Sequence, residues 1–205
     1  DNSRPDGRMC GLNNEVQILQ ETGCYADFTM PSVPDVTQSR IVNSIYYSVD
    51  DPKAPKSYNR GSSAKKGKKN YGLLMVQGPL MLNWKNKKFG ILPHIENGAV
   101  SGQEIITTER LELWIDANIH VEGESGAIFI KLHSHGCHEL NAENLLNKDL
   151  DYLFTLLESR YNDGTNFKLH YVSAREMVNI IKAIEDGHNI NESDYRNYRY
   201  IQLAS

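Results

Sequence analysis

Cysteine is scarce. Cys10, Cys24 and Cys137 are spread over 205 residues, without the close pairing of a zinc cluster or a disulfide framework. No apolar run approaches the roughly 18–20 residues that span a bilayer, and no signal peptide opens the chain. These absences predict no transmembrane segment and favour a cytoplasmic location. Neither sign of charge dominates: 22 Lys and Arg stand against 26 Asp and Glu, a net −4, which says nothing about polyanionic partners. A glycine-rich phosphate cradle, a Gly-x-Ser-x-Gly nucleophile and internal repeats are also missing.

What is there, 40% hydrophobic residues, suffices for one sizeable core, so residues 1–205 are read as a single domain. The opening Asp1-Asn2-Ser3-Arg4-Pro5-Asp6-Gly7-Arg8 is a polar loop without an initiating methionine. It predicts structure before Asp1, and with it part of any active site.

Asn13 to Thr22 reads as a helix with Leu12, Val16 and Leu19 on one side, followed by a strand from Cys24 to Met30. Ile41 to Val49 reads as another strand. Residues 51–70 carry seven lysines and arginines among glycine, serine and proline, which predicts a basic, mobile surface loop or a rim for an anionic glycan or nucleic acid; without aromatic interleaving no nucleic-acid partner is expected. Tyr71 to Leu82 and Trp84 to Ile91 suggest a hairpin turning at Lys85-Asn86-Lys87-Lys88. Thr107 or Thr108 caps a helix running to Asn118, and Ala127 to Leu132 reads as a strand. Asp149 to Arg160 reads as a helix, Phe167 to Val172 as a short strand. Ser173 and Glu176 have capping-box spacing for a helix ending near Asp186. The last stretch reads as a peripheral strand or hairpin. Strands alternating with helices give an α/β class, in which chemistry gathers at the carboxyl ends of strands.

The phrase Leu132-His133-Ser134-His135-Gly136 ends the apolar run. Side chains alternate along a strand, so His133 and His135 share one face at the point where the glycine lets the chain turn. An imidazole titrating near neutrality serves acid–base or metal chemistry; the alternative is hydrogen bonding to loops around the turn. His138 extends the phrase to His-x-His-x-x-His, a possible zinc set. Asp27 is a base, ligand or charge partner of a histidine, or a polar residue at a sheet end. His170 reads as a core or supporting residue, and His94, His120 and His188 as surface residues. Cys137 reads as a small buried thiol. Arg4 and Arg8 pair with carboxylates or line the cavity, and Asn13, Asn14 and Glu15 begin the first helix.

Taken together, Asp1 to Arg4, Cys10-Gly11-Leu12-Asn13-Asn14-Glu15, Gly23 to Ser32, Leu132 to Gly136 and Leu169 to Met177 resemble a divergent branch of the polysaccharide deacetylase-like proteins. These are related to the NodB-homology carbohydrate esterases. The resemblance implies that the chain is the later part of a distorted (β/α) barrel. It implies metal-dependent hydrolysis of acetyl groups from a polysaccharide or amino sugar. A divalent metal such as zinc is implied, with ligands partly outside this chain: the paired aspartates and histidine motif that hold it would precede Asp1. Leu132-His133 matches the leucine–histidine motif that supplies the general acid, and His135 would share or orient that proton. Asp27, Arg4 and Ser32 would bind substrate. Phe28 to Ser32 falls where the family has an arginine–proline motif, whose arginine is absent here. That departure favours a second reading, a non-catalytic carbohydrate-binding or scaffold domain of a larger sugar-modifying protein.

Overall fold

A computed structural model describes all residues except 1–3, 5, 10, 11, 52, 54–56, 102–105, 136, 137, 147 and 202–205. Its centre is a mixed four-stranded sheet formed by β1 (Ala26–Asp27), β2 (Ile45–Ser48), β3 (Gly61–Ser63) and β4 (Leu73–Val76), in the order β1-β4-β2-β3. β1 runs parallel to β4, whereas β2 is antiparallel to both β4 and β3. Every residue of β2 and β4 is buried, as expected of strands covered on both faces. Ile45, Tyr47, Leu74 and Val76 point into one cluster with Met177, Val178, Ile181 and Ile184 of α5 (Ala174–Glu185). Tyr46, Leu73 and Met75 point the other way, to Val16 of α1 (Glu15–Glu21), Met30 and Tyr58. The sheet is thus a layer between helices.

The barrel expectation is overturned. Among the described residues neither sheet closes on itself: one is the open four-stranded sheet, the other the two-stranded ribbon of β5 (Leu80–Lys88) and β6 (Leu92–Asn97). Residues 127–132, expected as a strand, form none, and the segment to His133 joins the structure through separate backbone bonds. Phe129 N donates to the Ile119 carbonyl at 2.8 Å, and His133 forms an isolated parallel bridge with Ala99. Side-chain alternation places Ala127 and Phe129 in the α5 cluster. Ile130 and Leu132 go instead to a third cluster with Trp114 of α2 (Thr108–Asp116) and Leu153 of α4 (Lys148–Tyr161).

Several local expectations hold. Ser173 and Glu176 form the reciprocal capping box of α5, and Thr107 accepts from Arg110 N to cap α2. Others shift. The basic stretch 51–70 contains β3 and buries Tyr58 and Ala64. The ribbon turns at Phe89-Gly90-Ile91, beyond Lys85 to Lys88, because the register slips between Asn83 and Lys87. Residues 167–172 and 188–201 form no strand. No helix among the described residues is long and apolar enough to cross a membrane.

Candidate functional site

His133 is fixed by its backbone. Its N–H donates to the Gly98 carbonyl at 2.9 Å and its carbonyl accepts from Val100 N at 2.8 Å. The preceding Lys131 carbonyl is held against two glycines: a Cβ would lie 2.9 Å from that oxygen at Gly78 and 2.8 Å at Gly98. Any side chain there would push the histidine segment away.

The His133 imidazole is half-buried, and its Nδ1 is buried without a hydrogen-bond partner. Burial lowers its pKa, and the neighbouring charges of Lys131, His135 and Arg110 lower it further. At neutral pH the ring is therefore mainly uncharged. His135 is exposed. Its carbonyl accepts from Asn141 Nδ2 at 3.0 Å and His138 N at 3.2 Å, which starts α3 (Glu139–Leu145).

Two positions before His133, on the same side of the chain, Lys131 is buried at 7% exposure. Its ammonium donates to the carbonyls of Phe28 at 3.1 Å and Met30 at 2.5 Å. Burial pushes its pKa down to about 8 against the opposing attraction of Asp27. Asp27 is itself buried, and Oδ1 accepts from both the amide and the hydroxyl of Thr29 at 2.7 Å. Burial, then the charges of Asp27 and Glu15, hold the Tyr58 hydroxyl far above its ordinary pKa. Burial and then Asp27 and Asp50 also raise the Glu15 carboxyl, whose Oε2 has no hydrogen-bond partner. Lys131 thus links an acidic cluster at the carboxyl end of β1 to His133 through its field.

Ser32 is 1% exposed, and its hydroxyl donates to Gln77 Oε1 at 2.5 Å, leaving Gln77 Nε2 unpartnered. Its substrate-binding group is occupied inside the protein. Arg4 forms a two-pronged pair with Asp6 at 2.9 and 2.7 Å, the carboxylate pairing expected of the N-terminal loop. His170 lies 3.3 Å from an Arg196 nitrogen, and burial lowers its pKa. Gly136 and Cys137 lie outside the described residues. A cleft of about 150 Å³ runs along β1, lined by Cys24, Tyr25, Ala26, Phe28, Ala174, Arg175 and Val178.

The metal-binding expectation is corrected for this part of the protein. Among the described residues no group of three or more His, Cys, Asp and Glu could hold a metal ion. The charges acting on His133 from Lys131 and Arg110 are cationic. The resemblance places the implied ion's ligands partly before Asp1, and the described residues assemble no such set of their own.

Lys131 escaped the sequence reading because lysine is ordinary on strand surfaces. Its position was a usable signal: a lone cation in Ala127-Ile128-Phe129-Ile130-Lys131-Leu132, in phase with His133 and His135. Glu15, read as a helix-start residue, gave no sign of meeting Asp27, because that approach depends on how α1 packs on the sheet. Searches with this chain against protein-family models, curated proteins and solved structures return no match.

Proposed function

We propose that this chain carries the proton-transfer side of a groove that hydrolyses acetyl groups on a polysaccharide or amino sugar, with His133 as the general acid. One observation carries the reading: a half-buried imidazole with an unpartnered Nδ1, its pKa lowered by burial and adjacent cations. The same depression makes the imidazolium a stronger acid and the neutral ring its resting form.

In the reaction, neutral His133 takes a proton from the water that attacks the acetyl carbonyl. The carbon–oxygen bond to water forms as the tetrahedral intermediate develops. Its collapse breaks the bond to the sugar nitrogen or oxygen, and the imidazolium returns the proton to that departing atom. Acetate and the free amine or hydroxyl leave, and the ring is neutral again. Lys131 and Asp27 are positioning residues that set the local field, and exposed His135 shares the proton.

The test is acetate release from acetylated chito-oligosaccharides and acetylated xylan by the full-length protein. His133→Asn should lower kcat by roughly 10²–10⁴-fold, the usual span for removing a proton-transfer group, with unchanged circular dichroism. Full activity in His133→Asn overturns the role. Retention on the glycan without acetate release marks the non-catalytic binding reading instead.

A further inference from the structure

The distal half of the β5–β6 ribbon is exposed at every residue from 84 to 92. Its sequence is Trp84-Lys85-Asn86-Lys87-Lys88-Phe89-Gly90-Ile91-Leu92: four large apolar residues, three lysines and no acid. Phe89 is 82% exposed, Ile91 77% and Trp84 61%. At its root the ribbon is tied to the rest of the protein, where Asn43 bonds the Leu80 backbone at both ends of its amide and Arg110 of α2 pairs with Glu96 at 2.9 Å.

The tip itself is built at a conformational cost. Phe89 takes a left-handed backbone, φ 55°, beside Gly90 at 72°, and an aromatic residue rarely adopts that region. The Lys88 ammonium lies 5.6 Å from the Phe89 ring centroid, so the aromatic tip carries cationic charge beside it. Lys85 is shared with Glu112 at 3.4 Å; Lys87 and Lys88 extend the positive charge towards the turn.

We infer that this tip docks on an anionic phospholipid surface, with Phe89 and Ile91 entering the interface and Lys87 and Lys88 against the headgroups. Charge complementarity selects the occupant: Lys87 and Lys88 beside the apolar turn, with no acid between 84 and 92, call for a dense anionic plane. A protruding apolar crown is buried by soft lipid without a preformed groove. Trp84 lies further back, where indole favours the interface. Docking this way uses none of the groups assigned to proton transfer and is measured without a sugar, so it stands or falls apart from acetyl hydrolysis.

The test is sedimentation of the full-length protein with vesicles of pure phosphatidylcholine and with vesicles that also contain phosphatidylglycerol. Binding should require the anionic lipid and weaken as salt rises. Tryptophan emission should shift to the blue and be quenched by brominated lipid, and Trp84→Phe should remove both signals; Trp114 is buried and should not respond. The double variant Phe89→Asn, Ile91→Asn should lose binding, asparagine being at ease in the left-handed region. Lys87→Gln with Lys88→Gln should weaken partitioning roughly 30-fold, from the usual contribution of lysines near an anionic surface. The proposal is overturned by failure to bind the anionic vesicles, or by undiminished binding of the Phe89, Ile91 variant. It is equally overturned by binding without quenching of Trp84, or by a tip that drives self-association or glycan binding in place of vesicle binding.

Discussion

Arg110 and Glu96 form an ion pair at 2.9 Å with both side chains 5% exposed. Asn83 Nδ2 and His94 Nδ1 also lie 3.2 Å from Glu96 Oε1. Arg110 reaches on to the Ala99 carbonyl at 2.8 Å, and Trp114 Nε1 donates to the Asn97 carbonyl at 2.8 Å. These bonds fasten α2 to residues 97–99, next to the Gly98 and Val100 groups that hold the His133 backbone. Removing one partner leaves the other charge buried and unpaired. Arg110→Ala or Glu96→Ala should therefore cost about 3–5 kcal/mol in urea unfolding, whereas replacing both by apolar residues of similar volume should cost much less.

His133 should titrate below the ordinary histidine value of about 6.5 in an NMR titration. Its folded pKa is depressed, so between the two values the unfolded chain binds more protons than the folded one. Stability then rises with pH through that window and is lost as pH falls towards the folded value. His133→Gln should flatten this part of the urea-midpoint profile relative to the parent protein. Arg110→Ala, by removing one of the cations acting on the ring, should raise the His133 pKa. A profile unchanged by His133→Gln would show that the ring titrates alike in both states.

Lys131 should release its proton near pH 8, and the unfolded chain should hold its own to about 10.5. Across that interval the unfolded state binds more protons, so folding stability should increase with pH. Lys131→Met should abolish the increase. At neutral pH the same substitution relieves a buried charge but strips the Phe28 and Met30 carbonyls of their donor. Each lost partner typically costs about 1–3 kcal/mol, so a net destabilisation is expected. The His133 resonances should also move to a higher pKa once the ammonium is gone. An unchanged His133 titration in Lys131→Met would remove Lys131 from the field at the site.

What was legible in the sequence was local. Ser173 and Glu176 announce the start of α5 because the capping box closes within four residues, and Thr107 announces α2 in the same way. The expectation that His133 and His135 share a face rests on strand alternation, yet residues 127–132 form no strand and His133 makes an isolated bridge with Ala99. Closure of a sheet is not legible locally, since β2 and β4 are equally apolar in an open sheet and in a barrel, and the overturned barrel expectation came from the family resemblance. β3 was hidden because Tyr58 and Ala64 are isolated apolar residues in a basic stretch, buried only once β2 supplies a partner strand. Lys131 became informative only when Phe28 and Met30 arrived from about a hundred residues away.

The start of α1 shows the same limit and gives a further prediction. Asn13 and Asn14 stand where a helix cap is expected, yet Asn14 makes no side-chain capping bond. The cap comes instead from Asp50, just beyond β2: Oδ1 accepts from Val16 N at 3.2 Å and Oδ2 from Gln17 N at 2.7 Å. A carboxylate there satisfies two helix donors and favours the positive end of the helix dipole. It also ties α1 to the sheet against which Val16 packs. Asp50→Ala should cost about 0.5–2 kcal/mol, the range for losing a capping side chain. Asp50→Asn, which keeps one acceptor, should cost less. Hydrogen exchange resolves the effect: the amides of Val16 and Gln17 should lose protection in Asp50→Ala beyond what the fall in global stability explains. The α5 amides should follow global stability alone. Equal loss along both helices would mean that Asp50 supports the whole sheet rather than the end of α1.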